Sequence, residues 1–121
     1  MDEAFIIQLK QIILDHLEDD QFGVSNLASK VGLSRSQLLR KVKSAIGISV
    51  NQLINNIRLE EAAKRIKETD NTVSEIAYQV GFSSPSYFNK CFLQFFGCTP
   101  GEFKNHVGEL IVNIKIPQKS E

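Results

Sequence analysis

Two segments of the chain carry side chains that could form hydrogen bonds to nucleic-acid bases and phosphates. In the first segment, the apolar positions with the spacing of a buried helical stripe are Leu38, Val42, Ala45 and Ile46. At about 100° per residue, the polar or exposed side of the same helix carries Ser36, Arg40 and Lys43, with Leu39 at its edge and Arg35 in the first turn. The segment therefore has one face for packing and another that is free for binding.

The second segment, 50 residues further along the chain, repeats this arrangement. Its apolar stripe consists of Phe88, Phe92, Phe95 and Phe96. Its outward positions are Ser86, Asn89 and Lys90, which correspond to Ser36, Leu39 and Arg40 of the first segment. The spacing points the four phenylalanines inward, which favours a packing role over stacking on single-stranded bases.

The outward side chains suit recognition of double-stranded DNA. Arginine forms bidentate hydrogen bonds with guanine, and asparagine does so with adenine. Serine and lysine more often contact phosphates, and helix N-termini, such as those near Ser25, Ser34, Thr72 and Ser84, attract phosphates through the helix dipole. The plain alternative is that Arg40, Lys43 and Lys90 only solvate a helix surface.

An internal repeat positions both faces. Val24, Ser25, Ala28, Val31 and Gly32 recur 49 residues later as Val73, Ser74, Ala77, Val80 and Gly81, and Gly47 recurs as Gly97. Each copy predicts a short helix, a glycine turn and a longer helix, which is the pattern of a helix-turn-helix whose second helix enters the major groove.

The remaining segments also have helical spacing. We expect Asp2 to cap a first helix that runs to about Glu18, and a short last helix to end near Val107. The helices between them are expected to have the caps Ser25, Ser34, Ser49, Thr72 and Ser84 and to end at about Gly32, Gly47, Glu68, Val80 and Gly97. Between the repeats, a helix from about Val50 to Glu68 has an apolar stripe that changes phase midway, as a helix packing on two bodies would. The predicted organisation is residues 1–49, a linker helix at 50–68, a second unit at 69–107, and an irregular or loosely docked tail at 108–121.

Composition limits the alternatives. The chain has 121 residues, 42% of them hydrophobic, which predicts a folded protein, and no apolar run approaches the length of a membrane span. The two cysteines do not form a disulfide framework or a usual zinc pattern, and the acidic N-terminus lacks a signal peptide's basic region, so we expect a cytoplasmic protein. No catalytic motif is present, and we predict neither enzyme activity nor a cofactor.

Charge is unevenly distributed although the net charge is zero. Residues 1–23 carry −5, whereas residues 24–104, which contain both repeats, carry +5. This asymmetry indicates a basic face in the repeats.

The motifs of the repeats resemble the DNA-binding domain of AraC/XylS-type transcription regulators over roughly residues 5–105. The most specific segment is SEIAYQVGFSSPSYFNKCFLQFFGCTPGEFK at 74–104, with GF at the turn, an aromatic pair, FxxxFG and TPxxF. The SRSQL and SPSYF helix starts look most similar to output domains of hybrid two-component sensor-regulators.

This resemblance implies an all-helical, bilobed domain of about seven helices, with two homeodomain-like helix-turn-helix units joined by a long linker helix. It also implies that the third and sixth helices enter adjacent major-groove segments. The base-facing residues would be Arg35, Ser36, Leu39 and Arg40 in the third helix, and Pro85, Ser86, Asn89 and Lys90 in the sixth. Arg58 matches a family arginine interpreted as structural or backbone-contacting.

Two features weaken the second reading helix. Pro85 has no N–H donor, and Leu93 places an apolar group where the first repeat has Lys43. We therefore expect the third helix to supply more base-specific energy, and the sixth to supply phosphate anchoring and shape readout.

The sequence thus predicts a sequence-specific double-stranded DNA-binding domain that acts as the output of a transcription regulator. Its expected partners are DNA, upstream sensor or receiver domains of the same regulator, and RNA polymerase, without membrane contact. The alternative is a protein-interaction module that keeps the helix-turn-helix as a scaffold and uses the acidic first helix or the apolar tail.

Overall fold

A computed structural model describes residues 2–105 of the chain, and this part is entirely helical. The seven helices are α1 (Asp2–Asp15), α2 (Val24–Val31), α3 (Arg35–Ile46), α4 (Val50–Glu68), α5 (Val73–Gln79), α6 (Pro85–Phe96) and α7 (Pro100–Asn105). The predicted all-α fold with two helix-turn-helix units and a long joining helix is confirmed. The predicted tail at 108–121 and the end of α7 near Val107 lie outside the described residues.

The long helix α4 belongs to two hydrophobic cores. Val50, Leu53, Ile54 and Ile57 in its first half pack with buried residues of α1, α2 and α3, which form the N-terminal core. Leu59, Ala62, Ala63 and Ile66 in its second half pack with residues of α5, α6 and α7, which form the C-terminal core. The phase change in the apolar stripe therefore marks the passage of α4 from one core to the other.

The structural repeat is longer than the sequence repeat. In the first unit α1 packs on α2 and α3, and in the second unit α4 packs on α5 and α6 in the same roles. The helix that follows each unit packs against it. The start of α4 packs on the first unit, and α7 packs on α4 and α6 of the second. Ser49, which precedes α4, and Val50 and Leu53 in its first turn correspond to Thr99, which precedes α7, and to Pro100 and Phe103 within it. The four apolar members of this set are buried.

Helix α1 is shorter than its apolar pattern predicts. It begins at Asp2, which therefore lies inside the first turn and does not precede the helix as a cap. It ends at Asp15 and not near Glu18, because the next backbone hydrogen bonds, from His16 N to Ile13 O and from Asp19 N to His16 O, are of the tighter i to i−3 type. Leu17 is nevertheless buried, at 5% exposure, because the turn carries it into the C-terminal core.

The predicted cap of α2 was wrong by two residues. The helix begins at Val24 with Gly23 as its N-cap, and the Asn26 side chain accepts a 3.0 Å hydrogen bond from the Gly23 N–H. Ser25 therefore lies inside the first turn. The N-cap side chains of the later helices are as predicted, namely Ser34, Ser49, Thr72 and Ser84, each of which accepts a backbone N–H three residues on.

None of the helices within residues 2–105 combines the length and the apolar character that crossing a bilayer requires.

Candidate nucleic-acid interface

The predicted reading face of α3 is exposed along its whole length. Leu38 and Val42 are fully buried on the opposite side, which fixes the rotation of the helix. The exposed residues of this face are Arg35, Ser36, Leu39, Arg40 and Lys43. Leu39, at 38% exposure, lies at the border of the face.

Two of the basic side chains on α3 already have partners within the protein. Arg35 Nη1 donates a 3.1 Å hydrogen bond to Ser25 Oγ, which holds the guanidinium beside the first turn of α2. Lys43 Nζ donates to the carbonyl of Gly47 at 3.1 Å, where a cation satisfies an otherwise free helix C-terminal carbonyl. Arg40 has no hydrogen bond or ion pair with another of the described residues, so its guanidinium is the group of α3 most available to a ligand.

Helix α6 presents the corresponding face of the second unit. Ser86, Asn89 and Lys90 are exposed, and Pro85 is half-buried in the first helical position. Leu93 is 46% exposed, so an apolar group does lie on this face. Phe88, Phe92 and Phe96 are buried, whereas Phe95 is only half-buried and faces the first half of α4.

The phenylalanines hold α6 in place through a chain of ring contacts. Phe92 lies 5.6 Å from Phe88 and 5.6 Å from Phe103, centroid to centroid. Phe96 lies 4.5 Å from Phe92 and 5.7 Å from Phe103. Aromatic pairs at these distances add to the stability from area burial, so α7 supports α6 from the side opposite its exposed face.

Two exposed tyrosines flank the second unit and were absent from the sequence-based prediction. Tyr78 on α5 is 54% exposed and Tyr87 on α6 is 52% exposed. A hydrogen bond with Cys91 raises the pKa of Tyr87, while Asn55 of α4 opposes the shift. Tyr87 lines a polar cleft of about 290 Å³ between α4 and α6. The sequence gives no indication of this cleft, because in the sequence Tyr87 is recognisable only as one member of the aromatic pair Tyr87-Phe88.

The exposed basic groups on both faces are not neutralised by neighbouring carboxylates. Among the described residues, the only ion pair within 4 Å joins Arg65 to Glu61 at 3.0 Å. Both residues lie on α4, and neither lies on α3 or α6. The same residues contain no group of three or more histidine, cysteine, aspartate or glutamate side chains placed to hold a metal ion.

Arg58 is a structural residue that joins the two units. It is 6% exposed and lies on α4 between Ile57 of the N-terminal core and Leu59 of the C-terminal core. Nη1 donates to the carbonyl of Gly81 at 2.7 Å, and Nη2 donates to the carbonyls of Asp19 at 3.0 Å and Phe22 at 3.4 Å. Burial lowers the pKa of the guanidinium, against the attraction of Asp19 and Asp20, which raises it.

Comparison with known proteins agrees with this geometry. A helix-turn-helix domain family matches residues 27–106. A histidine kinase named P4 from Formosa agariphila is 36% identical over 109 residues, which cover 90% of this chain and 8% of that protein. The HTH-type transcriptional regulator MtrA of Neisseria gonorrhoeae is 34% identical over 101 residues, which cover 84% of this chain and 33% of that protein. The chain thus spans a third or less of each relative.

A solved structure extends the comparison to three dimensions. The DNA-binding domain of AdpA, a global transcriptional factor solved in complex with a target DNA, is 27% identical to this chain. The alignment covers 83% of this chain and 89% of that one, with a TM-score of 0.75. From the match over most of its length, the paired helix-turn-helix units and these relatives, the chain belongs to the AraC/XylS family of helix-turn-helix DNA-binding domains.

Proposed function

We propose that the chain binds double-stranded DNA sequence-specifically, with α3 and α6 in adjacent major-groove segments. The observation that carries this proposal is the pair of matched exposed faces, centred on Arg40 in α3 and on Lys90 in α6, on two units that share the helix α4. Each recognition helix lies after a short helix and a glycine turn, the arrangement in which its first turns reach base edges.

The two helices are proposed to contribute differently. Arg40 supplies a bidentate contact to guanine, supported by Arg35, Ser36 and Leu39 of the same helix. In α6, Asn89 is the residue suited to a base edge, while Ser86 and Lys90 anchor phosphates and Pro85 sets the first turn. Lys43 is proposed to contact phosphate, for which it exchanges its bond to the Gly47 carbonyl.

The protein that contains this domain is proposed to be a cytoplasmic transcription regulator with upstream sensor or receiver domains, acting through RNA polymerase. The relatives support this because the aligned segment is a small share of each, 8% of the histidine kinase and 33% of the regulator. On this proposal the signal is received elsewhere in the regulator, and the domain itself binds DNA without a cofactor and without catalysis.

Selection of bound duplexes from a random DNA pool tests the proposal, followed by measurement of affinity for the winning sequence against salt. We expect two short motifs about one helical turn apart and a steep fall in affinity with rising salt, because phosphate contacts release counterions. A single motif would limit base reading to one helix. No enrichment and no salt dependence from a folded sample would refute DNA binding.

A protein-interaction role is the second candidate, favoured by one surface. Ile7 on α1 is 67% exposed and borders an open groove of about 560 Å³ that is also lined by Ile6, Ala45 and Ile46 and by the acidic residues Asp2 and Glu3. A chain that acts only through this groove would enrich no duplex in the selection described above, which separates this role from the DNA proposal.

A further inference from the structure

We propose that Arg58 sets the distance and rotational phase between α3 and α6, and thereby the spacing between the two base motifs that the chain accepts. This inference rests on the proposed two-helix DNA reading and assigns a positioning role to a residue that lies on neither reading face. It concerns the relative orientation of the two units, which the contacts within either unit do not define.

The contacts of Arg58 connect elements that belong to different units. Asp19 and Phe22 lie in the turn between α1 and α2 of the first unit, whereas Gly81 lies in the turn between α5 and α6 of the second. One planar guanidinium donates to both turns, with Nη2 on the first unit and Nη1 on the second. Because the donors of a guanidinium are fixed in one plane, a change in the angle between the units would break at least one of these bonds.

The position of Arg58 on α4 makes this connection effective. The residue occupies the point where α4 leaves the N-terminal core and enters the C-terminal core. A helix alone resists stretching, but it bends and twists gently along its length. Bonds from its midpoint to a turn of each unit oppose such bending, so the two reading helices keep one relative orientation.

The repeat shows that packing alone does not require an arginine here. The residue 49 positions earlier is Leu9, which is fully buried on α1 of the first unit. Arg58 is buried without a carboxylate partner within 4 Å among residues 2–105, and its Nε has no hydrogen-bond partner in the same range. A buried cation and an unsatisfied donor both cost stability, whereas the leucine of the first unit fills its site without that cost. The arginine therefore contributes orientation, which an aliphatic side chain cannot.

A second contact beside Arg58 tightens the same junction. Gly81 approaches the Leu17 carbonyl so closely that a Cβ at Gly81 would collide with it. Leu17 belongs to the first unit in sequence but packs in the C-terminal core. The α1–α2 turn and the α5–α6 turn thus meet directly, and Arg58 bonds them at their point of contact.

The test in DNA uses the operator selected by the unaltered chain and variants of it with one or two base pairs inserted or removed between the motifs. We expect the unaltered chain to lose about tenfold or more in affinity for each change in spacing. Arg58→Leu should bind the best operator more weakly and should discriminate among the spacings less than about threefold. Arg58→Gln, whose single amide on a shorter stem can reach only one of the two turns, should behave in the same way.

Arg65→Ala is the matched control. Arg65 also lies on α4, but it bonds to Glu61 of the same helix and Gln79 of α5, both within the second unit. Arg65→Ala should show the same loss of affinity for each change in motif spacing as the unaltered chain, even where its overall affinity or stability is lower. The proposal is overturned if a folded Arg58 variant also shows the same losses as the unaltered chain.

A measurement without DNA separates this proposal from the proposed function. Amide residual dipolar couplings of the unaltered chain should fit a single alignment tensor for residues 2–46 and 69–105. In Arg58→Leu and Arg58→Gln the two groups should require different tensors while each remains internally folded. A single tensor in both variants would refute the role of Arg58, whether or not the chain selects DNA.

Discussion

Gly81 and Arg58 fit together so closely that a side chain at position 81 would collide with the guanidinium. The Gly81 carbonyl accepts a 2.7 Å hydrogen bond from Arg58 Nη1, and a Cβ on Gly81 would lie only 2.7 Å from Arg58 Cζ. Gly81 also has a φ of +95°, in the region that L side chains rarely adopt. The turn of the second helix-turn-helix is therefore also the surface on which the two units join.

Gly81→Ala should destabilise the protein much more than Gly32→Ala, although the two glycines occupy the same place in the repeat. Gly32 has a φ of +78° with open space around it, so alanine there costs only the backbone strain of about 1–2 kcal/mol. At Gly81 the same strain is joined by collision with Leu17 and Arg58. Urea unfolding of the two variants measures the difference, and equal losses would mean that the junction between the units yields easily.

Arg40→Ala should weaken binding to the preferred operator by about 1–3 kcal/mol and relax selection at one base position. The reason is that Arg40 lies opposite the buried stripe of α3 and has no protein partner among the described residues. Lys43→Ala is the comparison, because loss of a phosphate contact should weaken all sequences similarly. Repeating the duplex selection with each variant gives the result; unchanged base preference in Arg40→Ala would disprove the assigned reading face.

Substitutions in α6 should alter base preference less than Arg40→Ala does. Lys90→Ala should lower affinity for every duplex and reduce the slope of log affinity against log salt by about one unit, as expected for one lost phosphate contact. Asn89→Ala should relax preference at one base pair, and by a smaller factor than Arg40→Ala does at its own position. Competition between single-base operator variants provides the measurement, and a loss of selectivity in Lys90→Ala larger than that in Arg40→Ala would reverse the proposed division of roles.

Phe103→Ala should destabilise the protein by about 3–5 kcal/mol, the usual cost of removing a buried phenylalanine side chain. Phe103 is 1% exposed and contacts the rings of Phe92 and Phe96, so its removal opens a cavity beneath α6. Leu93→Ala on the exposed side of α6 should change stability by no more than about 0.5 kcal/mol. Thermal unfolding followed by circular dichroism compares them; similar midpoints would show that α7 does not support the second unit.

The local pattern of the chain determined the helices and their faces. Apolar residues at helical spacing, N-cap side chains and glycine stops are local signals, so the bounds of α3 to α6 agree with prediction to within a residue. The outward positions of Arg40 and Lys90 follow from the same periodicity. Even the sharing of α4 between two cores was visible, because a helix that changes its packing partner must change the phase of its apolar stripe.

The tertiary structure alone decided which distant groups meet. Arg58 bonds to carbonyls 39 and 36 residues earlier and 23 residues later, and no spacing rule relates a side chain to backbone atoms so far away. The two turn glycines look equivalent in the repeat, yet one is open to solvent and the other is closed against the first unit. Likewise, α1 ended early because packing carried Leu17 into the neighbouring core. Periodicity defines the faces of a helix, but contacts between units depend on how whole helices pack, which only the folded chain establishes.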